Sequence, residues 1–522
     1  MTKVPVPTLR VTGALTDALT APVLAQLRPE QLAAFLLQRR WFGGKGRAPA
    51  HVRIGDVIAI DRDGVAAAVA RLDVDSGSGS TVYYQLPLAV RQEGGGDEPA
   101  AVLARVEGAG ERGVLFDAVE DEEFRATLGS AFARGATLGG AGTGSRLVIE
   151  PVTGEGTAGH DITGLASRTV RAEQSNTSII FGDVAIMKLF RRLEPGMNPD
   201  VEIGRFLTTK THFTHTPPLL GVVRYEGSTG VESIAGMLQG FLPGSRDAWQ
   251  HALDESRGHF ANDGADGPHP FTEDAEQLGA ITRELHDALA SARDDAAFVP
   301  RTATRADVER WAGSARRRVE DAIALLDERL ETVKAADERA ARGVIEHHDA
   351  YLARLEELVA AVGDDAGQLI RHHGDYHLGQ VLHTRDGDFQ IIDFEGEPAR
   401  PIAERRERNS ALRDVAGMLR SFAYAAATLA AEARSDGARD AIERRATSWE
   451  RGAREAFLRG YLGDTSAAFL PSTPQRIDAL RELFETEKVF YEMSYELNNR
   501  PDWIWIPIAG AAALRATPAG RA

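Results

Sequence analysis

The chain has 522 residues, a formal net charge of −17 at pH 7, 43% apolar and 26% charged residues, and no cysteine. That length exceeds one ordinary domain, and the apolar content is enough for sizeable cores. The acidic balance argues against nucleic acid or an anionic membrane as the main partner, and the lack of cysteine excludes disulfides and thiolate chemistry.

The opening MTKVPVPTLRVTGAL lacks the layout of a secretion signal, and no apolar run of about 18 residues is present to span a bilayer. A soluble, cytoplasmic protein is expected. Residues 1–110 begin with a helical stretch, LTDALTAPVLAQLRPEQLAAFLLQRRWF. A meander of β-rich runs follows, HVRIGDVIAI, GVAAAVARLDV and STVYYQLPLAV, separated by Gly and Asp turns. EDEEFRATLGSAFARG reads as a helix. From Arg168, RTVRAEQSNTSIIFGDVAIMKLFRRL reads as strand, polar loop, strand, a two-residue Gly182-Asp183 turn, and strand. NPDVEIGRFLTT predicts a helix capped by Asn198 with Pro199 in its first position. VESIAGMLQGFLPGS predicts an apolar strand stopped by a Gly/Pro break. The polar, Gly-rich run near residues 255–275 predicts an insertion or mobile loop. Residues 274–361 carry i, i+3, i+4 apolar spacing, and helices resume in LRDVAGMLRSFAYAAATLAAEA and RIDALRELFETEKVFYEMSYEL. The chain thus divides at about 110 and 245 into an N-terminal segment, a β-rich segment 111–245 and a mostly helical segment 246–522. That order is α+β, not alternating βαβ.

The stretch RHHGDYHLGQVLHTRDGDFQIIDFEGEP, from Arg371 to Pro398, concentrates the chemistry. Asp375 and Asp393 stand in apolar settings on either side of Gln380. Buried carboxylates are costly unless paired or bound to a cation. Magnesium takes oxygen ligands, one or two of them carboxylates, together with nucleotide phosphates. An Asp, an amide five residues on, and a second Asp after a β-run is similar to the layout of protein-kinase-like phosphotransferases. That resemblance implies that Asp375 orients an acceptor hydroxyl while Gln380 and Asp393, with Glu395 beside them, hold Mg2+. His377 either donates to the transferred phosphate or packs against the loop. Lys188, in VAIMKLF, is expected to reach the nucleotide phosphates and to pair with Glu202 on the following helix. The competing reading is a lysine snorkelling from an edge strand. Gln174, Ser175, Asn176, Thr177 and Ser178 form a loop that would cover the phosphates. Gln239 and Phe241, in MLQGF, suit either an adenine-binding connector or an ordinary strand end.

QSNTSIIFGDVAIMKLFRRLEPGMNPDVEIGRFL, HHGDYHLGQVL, IIDFEGEPARPIAERRERNSALRDVAGMLRSFAYAA and YELNNRPDW resemble actinobacterial-type maltokinases and the maltokinase portion of trehalose synthase–maltokinase fusions. RRWFGGKGR is similar to that family's cap domain, so the resemblance spans nearly the whole chain. It implies a bilobal protein-kinase-like (aminoglycoside phosphotransferase-like) fold with an N-terminal cap and a mostly helical C-terminal lobe. It also implies ATP and Mg2+ as cofactors and maltose as the sugar phosphorylated, to maltose 1-phosphate. Related enzymes on this scaffold act on glucosamine. The chain departs from the pattern in the segment near 255–275 and in having no fused synthase; association with a trehalose synthase stays open.

Sugars are held by carboxylates, amides and aromatic faces. Tyr495, Glu496, Asn499, Arg500 and Trp503 supply all three, and they also read as a helix stop before Pro501. Tyr376, Glu397 and Glu404 are further substrate candidates, although Glu404 in ERRER reads equally as a solvated charge run. Asp414 is expected to brace the catalytic loop by accepting its backbone N–H groups. Trp41, Lys45 and Arg47 read as packing and surface charge. Two other classes stay in view. A catalytically silent kinase-like binding module would be expected to lose Asp375, Asp393 or Lys188. A metal-dependent phosphohydrolase would want more ligands than His372, His373, His377 and His383 provide.

Overall fold

Two sheets, antiparallel except for one parallel edge strand, carry the first half of the chain and helices carry the second. The computed structural model describes residues 5–516 except 44–48, 63, 76, 78–80, 96, 98, 140–143, 155, 171–174, 229, 262–269, 399, 434–438 and 464–465. Lys45, Arg47 and Gln174 therefore lie outside the described residues. The chain separates into two units, Met1–Pro243 and Gly244–Ala522.

In the first unit the expected meander is present: His51–Arg62, Val65–Asp75 and Thr81–Gln92 pair in sequence, antiparallel. Glu111–Asp117 adds to Thr81–Gln92, Val102–Gly108 pairs with it in turn, and Thr8–Val11 joins the edge in parallel. The expected N-terminal helical stretch is three short pieces, Leu15–Leu19, Ala21–Leu24 and Pro29–Leu37. Pro22 and Pro29 each occupy a first turn, the one place where a helix tolerates the missing N–H, so each proline starts a new piece. Trp41 is buried against Tyr84, with the Arg191 guanidinium 4.7 Å over its ring, in keeping with a packing role.

The second sheet runs in the order Ala136–Gly139, Arg146–Pro151, Leu219–Glu226, Glu232–Gly240, Ala185–Phe190, Asn176–Phe181, Ser167–Val170. The Gly182-Asp183 turn is one residue longer than expected. Phe181 pairs with Ala185, and the Val184 N–H donates to the Phe181 carbonyl, so Val184 belongs to the turn. Helix Glu122–Arg134 lays Phe124, Leu128 and Phe132 on a core that joins Phe116 of the first sheet to Phe181 and Leu238 of the second.

The second unit is built from long helices: Ala248–Ala261, Thr272–Leu289, Arg305–Glu328, His348–Val362, Leu412–Glu432, Arg439–Leu462 and Pro474–Asn499. The polar run near 255–275 is helical at both ends, up to Ala261 and again from Thr272, because apolar positions at helical spacing flank its Gly-rich centre. Leu412–Glu432 is buried on nearly every side and forms the middle of the unit. Phe271 stacks on Trp449, and Phe422 meets Phe457 edge-on, each ring removing enough apolar surface to contribute about 1.5–3 kcal/mol. No helix of the described residues is long and apolar enough to cross a membrane.

Candidate active site

The segment that carries Asp375 is held from below by one helix. Asp414 accepts from the His373 N–H at 2.7 Å and the Gly374 N–H at 2.9 Å, the bracing expected of it. Gly417, one turn on, lets the Tyr376 carbonyl approach so closely that an added Cβ would lie 2.5 Å from its oxygen. Ser421, one further turn along, accepts from the Leu378 N–H at 3.0 Å. Positions three and four apart share a helix face, so one stripe of Leu412–Glu432 sets the whole loop. Burial alone would raise the Asp414 pKa, but the bond from His286 and the neighbouring imidazoles hold it well below the usual carboxylate range.

His373 ties this loop to the second aspartate. Its Nε2 donates to the Ile392 carbonyl at 2.9 Å, and the Asp375 N–H points at its Nδ1. Val381–His383 and Phe389–Ile391 form the expected hairpin, and the Ile392 N–H donates to the Gln380 carbonyl. Gln380 and Asp393 therefore stand at the same end of the hairpin. Asp393 takes φ +69°, a left-handed conformation that a non-glycine residue keeps only where its surroundings enforce it. His377 accepts from the Gly379 N–H through Nδ1, which leaves its Nε2 as the donor. Burial lowers its pKa, so the ring is neutral at working pH.

In the first unit, Lys188 sits on Ala185–Phe190, a strand paired on both sides, which removes the edge-strand reading. Its ammonium lies 3.0 Å from Asp200, two positions before the expected Glu202, on helix Pro199–Lys210. Asn198 caps that helix as expected, accepting from the Asp200 N–H at 2.8 Å, and so holds Asp200 in the first turn. Asn176, Thr177 and Ser178 belong to a strand and not to a loop, leaving Ser175 at its start. The Thr177 hydroxyl accepts from Arg191, and Ser178 is buried. Gln239 is a buried strand residue, and the Phe241 N–H donates to the Val184 carbonyl, so that N–H is already taken.

A cavity opens beside Asp375 in the second unit. Its wall includes Glu397, Arg400, Arg318, His372, Lys488 and Tyr491. Lys488 and Tyr491 are the residues sequence reading missed. Both come from helix Pro474–Asn499, with the Lys488 ammonium 3.5 Å from the Asp375 carboxylate. Burial opposes that charge, but Asp375 and Glu492 hold the Lys488 pKa above its ordinary value.

The expected substrate residues are only partly brought here. Glu397 lines the cavity and is bound to Arg400 at 2.6 Å; Glu404 lies at its exposed rim. Tyr376 lines it too, but its ring is buried and its hydroxyl shares a hydrogen bond with Thr282 at 2.8 Å. Tyr495, Glu496, Asn499, Arg500 and Trp503 are not among the lining residues. Glu496 is turned inward, accepting from Tyr424 at 2.9 Å and from Arg500 at 2.6 Å. Arg500 in turn lies over the Tyr495 and Trp503 rings, 5.4 Å from each. Asn499 donates back to the Tyr495 carbonyl.

A second cluster, His251, Asp274 and His383, has the residue types of a metal centre. The two imidazoles are stacked with centroids 3.6 Å apart and planes only 6° from parallel. A metal ion sits in the plane of each ligating ring, and two parallel planes share no point. With Arg246 on His251 Nδ1 and Asp274 on its Nε2, the cluster is a hydrogen-bonded brace.

A β-rich unit with a lysine–aspartate pair, and a helical unit with a braced His-Gly-Asp loop and a second aspartate after a hairpin, define a protein-kinase-like phosphotransferase of the aminoglycoside phosphotransferase type. Comparison with known proteins narrows the class. Residues 35–121 match the maltokinase N-terminal cap domain. A glucosamine kinase of Streptacidiphilus jiangxiensis is 29% identical over 379 residues, 70% of this chain and 76% of that protein. One of Mycolicibacterium smegmatis is 29% identical over 358 residues, 67% of this chain and 80% of that protein. A solved structure of a glucosamine kinase in complex with glucosamine, ADP and inorganic phosphate shares the fold, with a TM-score of 0.65, 23% identity, and coverage of 97% of this chain and 100% of that one. The chain is an ATP-dependent kinase related to the maltokinases and glucosamine kinases.

Proposed function

We propose that this kinase transfers the terminal phosphate of ATP, with Mg2+, to a neutral sugar, and that the sugar is maltose, giving maltose 1-phosphate. The observation that carries the choice is the charge pairing in the cavity beside Asp375. Lys488 lies 3.5 Å from Asp375, Arg400 is 2.6 Å from Glu397, and Arg413 is 3.0 Å from Glu487. An acceptor bearing an ammonium wants a carboxylate that no other cation has claimed; Glu404, at the exposed rim, stands outside these pairs, but a cation already beside Asp375 repels such an acceptor. A polyol needs only donors and acceptors, which these pairs supply. The second reading is glucosamine, the sugar in the names of the two curated relatives, with its primary hydroxyl as the acceptor.

In this reading Asp375 accepts the proton of the attacking hydroxyl. An anomeric hydroxyl is more acidic than a primary alcohol and so asks less of that base. His377, neutral and with Nε2 as donor, bonds an oxygen of the transferred group. Lys188, steadied by Asp200, neutralises nucleotide phosphate charge. Gln380, Asp393 and Glu395 present only oxygen donors, the chemistry Mg2+ prefers; when bound, the ion offsets charge on the transferring phosphoryl group. The test is a panel of maltose, glucosamine, glucose and trehalose, with the product located by NMR. Maltose should give the highest kcat/KM. Preference for glucosamine with phosphate on its primary hydroxyl would replace the maltose reading.

A further inference from the structure

The segment Asp393–Glu397 leaves the hairpin with the proposed Mg2+ donors Asp393 and Glu395 at one end and Glu397, on the wall of the acceptor cavity, at the other. Neither helix nor strand holds it. Two of its five residues, Asp393 at φ +69° and Gly396 at φ +71°, are left-handed, and a left-handed aspartate persists only where its surroundings over-determine it. Phe394 supplies one anchor, buried with its ring 5.1 Å from that of His373. Gly396 supplies another, lying against the catalytic loop: a Cβ added at Gly374 would stand 3.3 Å from the Gly396 Cα. A Cβ added at Gly396 itself would meet the stem of Arg405, 3.5 Å from its Cβ and Cγ and 3.6 Å from its Cδ. Arg405 ends the short helix Ile402–Arg405, is buried, and donates from Nη1 to the Glu395 carbonyl at 3.1 Å. One side chain thus packs along Gly396 and bonds the residue before it, through a hydrogen bond that the guanidinium charge strengthens.

Resting on the kinase reading above, we infer that Arg405 is a positioning residue: by holding Glu395 and Gly396 it sets the Mg2+ donors and the acceptor wall together. Asp393, Glu395 and Glu397 share five residues of backbone that no ladder fixes, so a shift of the Glu395 peptide moves both ends at once. Groups that orient a metal ligand in this way act on the metal without touching it.

The experiment compares wild type, Arg405→Met and Arg405→Lys in the full chain. Calorimetry reads ATP affinity with and without Mg2+, and kinetics reads the acceptor KM with the best sugar of the panel. Arg405→Met should weaken Mg2+-dependent ATP binding about ten- to hundredfold, the usual effect of removing a group that orients a metal ligand. It should raise the acceptor KM about fivefold, while ATP affinity without Mg2+ stays within about twofold. Arg405→Lys keeps the charge and most of the stem but offers an ammonium in place of a fork. It should fold like wild type and show the same joint shift, reduced to about three- to tenfold in the Mg2+-dependent binding. If Arg405→Met does not fold, Arg405→Lys decides alone. A lowered thermal midpoint with both constants unchanged would make Arg405 merely structural and overturn the inference. A shift confined to one of the two constants would overturn it too, since the two ends would then be set separately. A wild-type protein that phosphorylates no sugar would bring down the sugar-kinase reading and the acceptor half of this inference; the Mg2+ half stands or falls on the calorimetry.

Discussion

Arg420 and Glu492 form a buried ion pair, 2.8 Å long, that joins the middle helix of the second unit to helix Pro474–Asn499. One turn on, Tyr424 bonds Glu496, so matched steps of four residues lock the two helices in register. One turn before Glu492 the same stripe delivers Lys488 to Asp375. The cavity charge thus depends on a packing contact outside the cavity.

Lys488→Met keeps the length of the side chain and removes its charge. The acceptor KM should rise by about tenfold, and the ATP KM should move little, because only the acceptor cavity loses a donor. Steady-state kinetics with each substrate varied in turn checks this. An unchanged acceptor KM would take Lys488 out of substrate binding.

Asp375→Asn should fold normally and bind nucleotide, while kcat falls by about 10²–10⁴, the usual contribution of a positioned general base. Single-turnover transfer of labelled phosphate measures it. Turnover near that of wild type would remove Asp375 from the chemistry.

Asp393→Ala should abolish Mg2+-dependent ATP binding, and Gln380→Ala should weaken it less. A carboxylate brings a full charge to the cation, whereas an amide brings only a dipole. Calorimetric titration of Mg-ATP into each variant distinguishes the two, and equal affinity in Asp393→Ala contradicts the metal assignment.

Lys188→Met should raise the ATP KM or lower kcat with a thermal midpoint within about 4 °C of wild type. Asp200→Asn should push the kinetics the same way more weakly, since the ammonium remains. A large drop in midpoint with intact kinetics would make the Lys188–Asp200 pair purely structural.

Glu485 supplies a pH test of stability. Burial would raise its pKa, but Arg454 at 2.8 Å and Arg481 hold it down at about 2. A depressed carboxylate contributes stability above its ordinary pKa near 4.5, and that contribution fades as pH falls toward 2. Glu485→Gln should therefore cost about 3 kcal/mol at pH 7 and clearly less at pH 3, read from denaturant midpoints. An equal cost at both values would show that the pair does not titrate with folding.

The sequence alone determined what local rules govern. Asn198-Pro199 fixed a helix start, alternating β-rich runs fixed the meander, and the spacing of Asp375, Gln380 and Asp393 fixed a loop and hairpin with its oxygen donors at one end. Each involves residues close enough in the chain for backbone geometry to relate them. The tertiary structure decided the rest. It set the Asp200 carboxylate 3.0 Å from Lys188, on the helix whose first turn the Asn198 cap holds. It turned Glu496 inward to Tyr424 and left Tyr495–Trp503 outside the cavity, where composition had suggested a sugar platform. It brought Lys488, Tyr491 and Arg318 to Asp375 from helices far away in sequence. Those contacts are set by which face of each helix is buried and by the Arg420–Glu492 register, and spacing along the chain carries no information about either.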